Sequence, residues 1–347
     1  MKIIDLHAHV TPGRFQAAIR AGRTWHGLGA SVGELDVPGF RRTTDERLTD
    51  MDALGVDIQA VSPNADFYQY HNDPAISAAV ARECNDEIAE IAAAHPDRFV
   101  GLGTLPMQDV SAATTELDRV MGDLRFKGVM VGDHVNGRTY DEPEFASFWA
   151  AAERLGAVVF FHQGQDTVVT ARIDRYHLDN SVGNLTEWAL TFGALVGGGL
   201  VDRHPRLKLL LGHAGGYVAY GIARMDKAWA AARELVDAGV DPAVALGGEL
   251  GAERELLERS AGSGPVSRAP SAYLRSFYYD CCTYTGATLR FLVDTVGIDR
   301  VVFGTDYPAP MAIADAVNWI RGLDVLSRDE QDAILARNPA QLLGLEA

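Results

Sequence analysis

His7 and His9 stand two residues apart at the end of an apolar run, "IIDLHAHV" (residues 3–10). Alternate side chains of a strand leave on the same face, so this spacing presents two imidazoles side by side, as a small cation requires. An isolated His-x-His is more often satisfied by local hydrogen bonds, so the case rests on what the rest of the chain brings. Three further apolar runs end in an ionisable group: "AVVFFH" at His162, "LKLLLGH" at His213 and "RVVFGTD" at Asp306. Neutral imidazoles and one carboxylate suit a divalent metal such as zinc, and His7, His9, His162 and Asp306 are assigned to one mononuclear site. A metal so held polarises a substrate oxygen and lowers the pKa of its water. His213 then serves as general base or acid, the alternative being a fifth ligand.

Such a set converges only if the runs are neighbouring strands. "KIIDLH", "DIQAVS", "RFVGLGT", "KGVMVG", "AVVFFH", "LKLLLG", "SFYYDC" and "RVVFGT" read as eight strands, separated by segments of helical periodicity such as 74–94 and 143–155. Each of these two opens with a proline suited to a first helical turn. Parallel βα units of this number close into a (β/α)8 TIM barrel, whose active site lies at the C-terminal strand ends. No linker divides the chain, so residues 1–347 are expected to form a single domain. The charged stretch from Gly239 to Pro270 reads as an insertion between strands six and seven. Gly22 to Gly39 reads as a loop or flap after strand one.

Lys and Arg number 31 against 47 Asp and Glu, a net charge of −16, which argues against nucleic acid or an anionic membrane as partner. The three cysteines, Cys84, Cys281 and Cys282, do not form a secreted disulfide framework. There is no signal-peptide pattern and no apolar run of about 18 residues. A cytoplasmic, soluble protein is the expectation.

The strand-one "HAH", the strand-five His, "GHAGG" and "GTDYP" resemble the amidohydrolase superfamily in its mononuclear branch. "ERLTDMDALGVDIQAVS", "DRFVGLGTLPMQ", "KGVMVGDHVNG", "AAERLG", "SFYYD" and "FGTDYPAP" resemble the aminocarboxymuconate-semialdehyde decarboxylase family. The resemblance implies that His7, His9, His162 and Asp306 hold one divalent metal per chain, zinc or in some relatives manganese, and that His213 activates metal-bound water. It also implies that Arg47 contacts a substrate carboxylate and that Arg224 reaches the active site of a neighbouring subunit in a homodimer. Taken alone, an arginine on a helix is a solvated charge more often than a carboxylate clamp.

The chain departs from that family at His162-Gln163-Gly164, where the family has His-Pro-Trp, and at Ala309, where it has an aromatic. The pocket is altered while the metal set is intact. The reading is a metal-dependent, non-oxidative decarboxylase of a small unsaturated or aromatic carboxylic acid, with His213 and Asp306 catalytic. A hydrolase or hydratase using the same metal is the alternative, and a non-catalytic binding protein the third reading. Phe67, Tyr68 and His71 are candidate pocket residues. Cys281 and Cys282 are expected to pack in the core, Asn184 and Glu187 to form a capping box, and His95 to be structural. His134 could touch the site.

Overall fold

The computed structural model describes residues 1–164, 166–170, 172, 175–246 and 266–345. Eight strands follow one another in sequence order around a single parallel sheet: β1 (Ile4–Val10), β2 (Ile58–Pro63), β3 (Phe99–Gly103), β4 (Gly128–Val131), β5 (Val158–Phe161), β6 (Lys208–Leu211), β7 (Phe277–Asp280) and β8 (Val301–Val302). The sheet meets itself between β8 and β1. Leu6 N donates to Phe303 O at 2.9 Å, Asp306 N to His7 O at 2.8 Å, and His9 N to Tyr307 O at 2.7 Å. This is the (β/α)8 barrel expected from the eight apolar runs, which are almost continuously buried because helices cover the outside.

The helices form for legible reasons. Helix α1 (Gly13–Arg20) follows β1, and α2 (Thr44–Leu54) starts at a capping box in which Glu46 N donates to the Thr43 hydroxyl and Thr43 N to the Glu46 carboxylate. Helix α3 (Pro74–Ala94) buries Ser77, Val80, Ala81, Cys84, Asn85 and Ile88, the three-and-four spacing of one helical face. Asp73 caps it, accepting from Ala75 N at 2.8 Å, and it stops before Pro96. Helices α4 (Val110–Gly122), α5 (Ala146–Leu155) and α6 (Asn184–Gly197) continue the ring, with a short α7 (Leu200–Arg203) before β6 and a long α8 (Val218–Asp237) after it. The segment expected as one helix over 143–155 opens with a 3₁₀ turn at Pro143–Phe145. No helix among the described residues is long and apolar enough to cross a membrane.

The loop after β1 packs as a small core of its own, with Trp25 and Leu28 against Phe15, Phe67, Val80 and Cys84. It also reaches the β8 exit, since a Cβ on Gly39 would lie 2.5 Å from Pro308 O. Most of the insertion expected between strands six and seven, residues 247–265, lies outside the described residues; Pro242–Ala245 before it is helical.

Candidate metal centre and active site

The barrel brings the four assigned side chains to one point. His7 and His9 project from β1, His162 follows β5, and Asp306 follows β8. The ring centroids of His7 and His9 are 4.9 Å apart, those of His7 and His162 4.9 Å, and those of His9 and His162 4.5 Å. One Asp306 oxygen, Oδ1, lies 3.2 Å from His7 Nε2 and 3.3 Å from His9 Nε2. Ligand atoms held at about 2.0–2.1 Å from one tetrahedral cation are about 3.3 Å from one another.

Hydrogen bonding supports the same assignment. Among the described residues, His7 Nε2, His9 Nε2 and both His162 nitrogens are buried without a hydrogen-bond partner, apart from the Asp306 oxygen beside the first two. Buried polar atoms are almost always paired, and a cation satisfies the inward-facing ones at once. The outer nitrogens of the β1 pair are engaged: His7 Nδ1 meets Asp280 Oδ2 at 2.7 Å and His9 Nδ1 meets Ser62 Oγ at 3.2 Å. With the proton on Nδ1 in each ring, both Nε2 lone pairs face Asp306 Oδ1.

Burial and neighbouring charge act differently on the rings. Burial lowers His9 to about 4 and holds His162 well below the usual imidazole value, helped there by the adjacent rings, so both are neutral donors. Burial also opposes a charge on His7, but Asp306 and Asp280 outweigh it and raise that ring to about 10. A cation next to His7 supplies the same neutralising charge as the proton. Asp306, despite its burial, is held well below the ordinary carboxylate range by His7 and His9.

His213 sits beside this group, its ring 5.1 Å from that of His7 and 5.4 Å from that of His162. It lies in a turn with positive φ at His213 (48°) and Ala214 (58°), a conformation that costs ordinary residues about 1 kcal/mol or more each. Asp280, at the end of β7, holds that turn: Oδ2 accepts from His213 N and Oδ1 from Ala214 N, both at 2.8 Å, and Oδ1 also from Cys282 N at 3.0 Å. The His213 Nε2 meets Gln163 Oε1 at 2.8 Å, and burial lowers its pKa. The sequence assigned a role to neither Asp280 nor Gln163. The only signal for Asp280 was an acid closing an apolar run, as at Asp306.

His213 forms the inner edge of a largely apolar cavity of about 970 Å³, lined also by Leu185, Tyr217, Tyr220, Cys282, Phe291 and Met311. This is the upper end of the small-molecule range. Arg224 is exposed on α8, the helix that carries Tyr220, itself 84% exposed. Arg47 does not line this cavity. Its guanidinium is buried behind β1, where it donates to the His9 carbonyl and, at 2.9 Å, to Gln59 Oε1, and it lies 4.7 Å over the Tyr307 ring.

Other sequence expectations divide. Cys281 and Cys282 are buried free thiols raised by burial, as expected of core residues. Phe67 belongs to the small core under the loop after β1, Tyr68 is buried beside Tyr70, and His71 is exposed. His95 ends α3. His134 is engaged by Asp166 O at 3.0 Å and by Gly137 N at 3.1 Å. The capping box at Asn184 does not form, because a π turn at Asp179–Gly183 already runs into α6; Glu187 instead accepts from Val168 N at 2.6 Å. Asp133, beyond β4, was also missed. It is 3% exposed, accepts from Gly164 N at 2.7 Å, and is raised by burial and by Glu187 to about 7.

Known proteins share this framework. The amidohydrolase family model matches residues 4–345. The chain is 29% identical to a 2-amino-3-carboxymuconate-6-semialdehyde decarboxylase of Dictyostelium discoideum, over 99% of this chain and 92% of that protein. It is 30% identical to a gamma-resorcylate decarboxylase of a Rhizobium species, over 82% of each. Among solved structures, a dihydroxybenzoic acid decarboxylase from Polaromonas with bound manganese and 2-nitroresorcinol matches with a TM-score of 0.77 at 26% identity, over 99% of this chain and 97% of that one. The 5-carboxyvanillate decarboxylase of Sphingomonas paucimobilis matches with a TM-score of 0.79 at 26% identity, over 99% of both chains.

Proposed function

The chain belongs to the amidohydrolase family, and from that premise we propose that it is a metal-dependent, non-oxidative decarboxylase of a small unsaturated or aromatic carboxylic acid, working as one barrel domain over residues 1–347. The observation that carries this is the convergence of unpartnered His7, His9 and His162 nitrogens on Asp306 beside His213.

In this reading His7, His9, His162 and Asp306 hold one divalent metal. Three imidazoles and a carboxylate favour zinc, and the manganese named for the Polaromonas relative makes that ion the other candidate. When bound, the metal supplies Lewis-acid polarisation of a substrate oxygen. The protein's own groups do the rest. The cavity beside His213 receives the apolar body of the acid. Decarboxylation breaks the bond to the carboxylate carbon, leaves the electron pair on the substrate, releases carbon dioxide and requires one proton at the vacated carbon. His213 relays that proton, with Gln163 Oε1 orienting its Nε2. Asp280 fixes both His7 and the His213 turn, and Asp306 provides the catalytic carboxylate next to them. Arg47 acts from behind β1, bracing the His9 backbone.

The exposed Tyr217 just before α8, and the exposed Tyr220 and Arg224 on it, support a homodimer in which Arg224 crosses to the partner's cavity and meets the substrate carboxylate. Three unpaired cysteines support a reducing, cytoplasmic setting. The test is to incubate metal-loaded protein with 2,6-dihydroxybenzoate and with the aminocarboxymuconate semialdehyde, reading released carbon dioxide and product mass. Loss of the mass of carbon dioxide supports the reading. Gain of the mass of water assigns hydration or hydrolysis instead, and a metal-free protein inert towards every such acid overturns it.

A further inference from the structure

Arg47 presents a charge problem that its place behind β1 does not solve. Its side chain is buried, yet among the described residues no carboxylate forms an ion pair with it. A buried cation without an anionic partner is costly. The carboxylates nearby are engaged elsewhere. Asp50 pairs with Arg42 and accepts from the Tyr307 hydroxyl, Asp5 accepts from Thr305 and Gln59, and Glu87 accepts the backbone N–H groups of Gly13 and Arg14 at the start of α1.

Arg47 also lines a cavity of about 130 Å³ bounded by α1, α2, α3 and the ends of β1 and β2. That is several times the roughly 30 Å³ that one water occupies in the liquid. Arg20, Arg41 and Arg42 line its rim, with Thr43 and Thr44 beside them. Arg20 donates to Gln16 at 2.8 Å and forms no ion pair among the described residues. The lining holds four arginines and one carboxylate, Glu87, which is engaged by the start of α1; Arg42 is paired with Glu46 and Asp50, so Arg20, Arg41 and Arg47 give the cavity its positive character on a chain of net charge −16.

We propose that this cavity is a binding site for a small oxyanion, held by Arg47 at its base and by Arg20, Arg41 and Arg42 at its rim. Guanidinium forks match such oxygens bidentately. The inference goes beyond the decarboxylase reading and does not depend on it. Because Arg47 also donates to the His9 carbonyl and covers the ring next to Asp306, an anion in the cavity bears on the backbone of two metal-facing residues.

Isothermal titration of the metal-loaded protein with inorganic phosphate, at constant ionic strength, is expected to show one saturable site per chain. Arg20→Ala and Arg41→Ala, both at exposed positions, should each weaken it about tenfold or more, the loss of one charge-assisted hydrogen bond. Both variants should keep wild-type turnover in phosphate-free buffer. Chelating the metal should leave the binding in place. A parallel titration with bicarbonate sorts the ligand: binding of both ions marks a general oxyanion site, of phosphate alone a tetrahedral one, of bicarbonate alone a planar one. No saturable binding of either ion, affinity unchanged in both rim variants, or binding that disappears with the metal overturns the proposal.

Discussion

Replacing Asp280 with asparagine tests whether one buried carboxylate sets both the metal ligand and the proton carrier. The wild-type group accepts four hydrogen bonds, from His7 Nδ1 (2.7 Å), His213 N (2.8 Å), Ala214 N (2.8 Å) and Cys282 N (3.0 Å). Burial alone raises a carboxyl pKa, but these donors and the His7 charge more than offset it, and Asp280 titrates below the ordinary value. An amide has one accepting oxygen, so the substituted side chain can serve one pair of donors while its NH₂ confronts the other. If the oxygen stays with His7 and His213, the N–H groups of Ala214 and Cys282 are left unpaired. Two bonds to a charged acceptor at about 1.5–3 kcal/mol each put the stability loss near 3–6 kcal/mol.

If the amide turns the other way, His7 loses its orienting acceptor, and metal affinity falls by about 10- to 100-fold as for other outer partners of ligating histidines. Asp280→Asn is therefore expected to lower the melting temperature and to weaken metal in a chelator competition, or to keep the metal while turnover falls at saturating metal because the His213 turn has relaxed. Melting, metal affinity and saturated turnover all indistinguishable from wild type would refute the reasoning, since no orientation of an amide satisfies all four donors.

His213→Ala should retain its metal by elemental analysis and lose about 10² to 10⁴ in turnover; a metal-free variant would make His213 a ligand. Conversely, combined His7→Ala and His9→Ala replacement should abolish the single bound metal, and retention of one ion per chain would refute the site. Asp133 has a folded-state pKa raised to about 7 by burial, against about 3.9 when unfolded, so its ionisation costs stability progressively as pH rises from about 4 to 7. Asp133→Asn, which keeps an acceptor for Gly164 N, should exceed the wild-type melting temperature by more near pH 8 than near pH 5; an equal difference at both pH values would refute it. Mixed dimers of Arg224→Ala and His213→Ala subunits should regain activity at the one site holding both native residues, and verified heterodimers without recovery would exclude a shared site.

Much of the barrel could be read from short-range pattern, because the period of a strand alone decides that His7 and His9 share a face. Topology does the rest for His162, His213 and Asp306, since consecutive parallel strands leave their C-terminal ends around one mouth. Residues whose partners are backbone groups from distant segments carry no such signature. Asp280 looks like any acid after an apolar run until the N–H groups of residues 213, 214 and 282 are placed around it. The Asn184–Glu187 spacing failed because capping requires free N–H groups, and the preceding π turn leaves Asn184 inside a helix. Arg47 had a position on α2 but no direction, and only the folded chain shows it turned towards the β1 backbone.

The division also bears on substrate identity. The residues assigned to the metal sit on or just beyond strands, where geometry is rigid, whereas Gln163, which contacts the ring proposed to move the proton, and Asp133, whose buried Oδ2 has no hydrogen-bond partner among the described residues, lie in the irregular turns after β5 and β4. Loops of this kind vary on a constant scaffold. The proposed function therefore assigns the common chemistry to the strand ends and the choice of acid to these turns. Exchanging Gln163 for Glu, which keeps an acceptor for His213 but adds a charge, should consequently alter which acid is turned over more than it alters metal content. Competition between two acids, read beside elemental analysis, checks this, and an unchanged preference with lost metal would place Gln163 in the metal site instead.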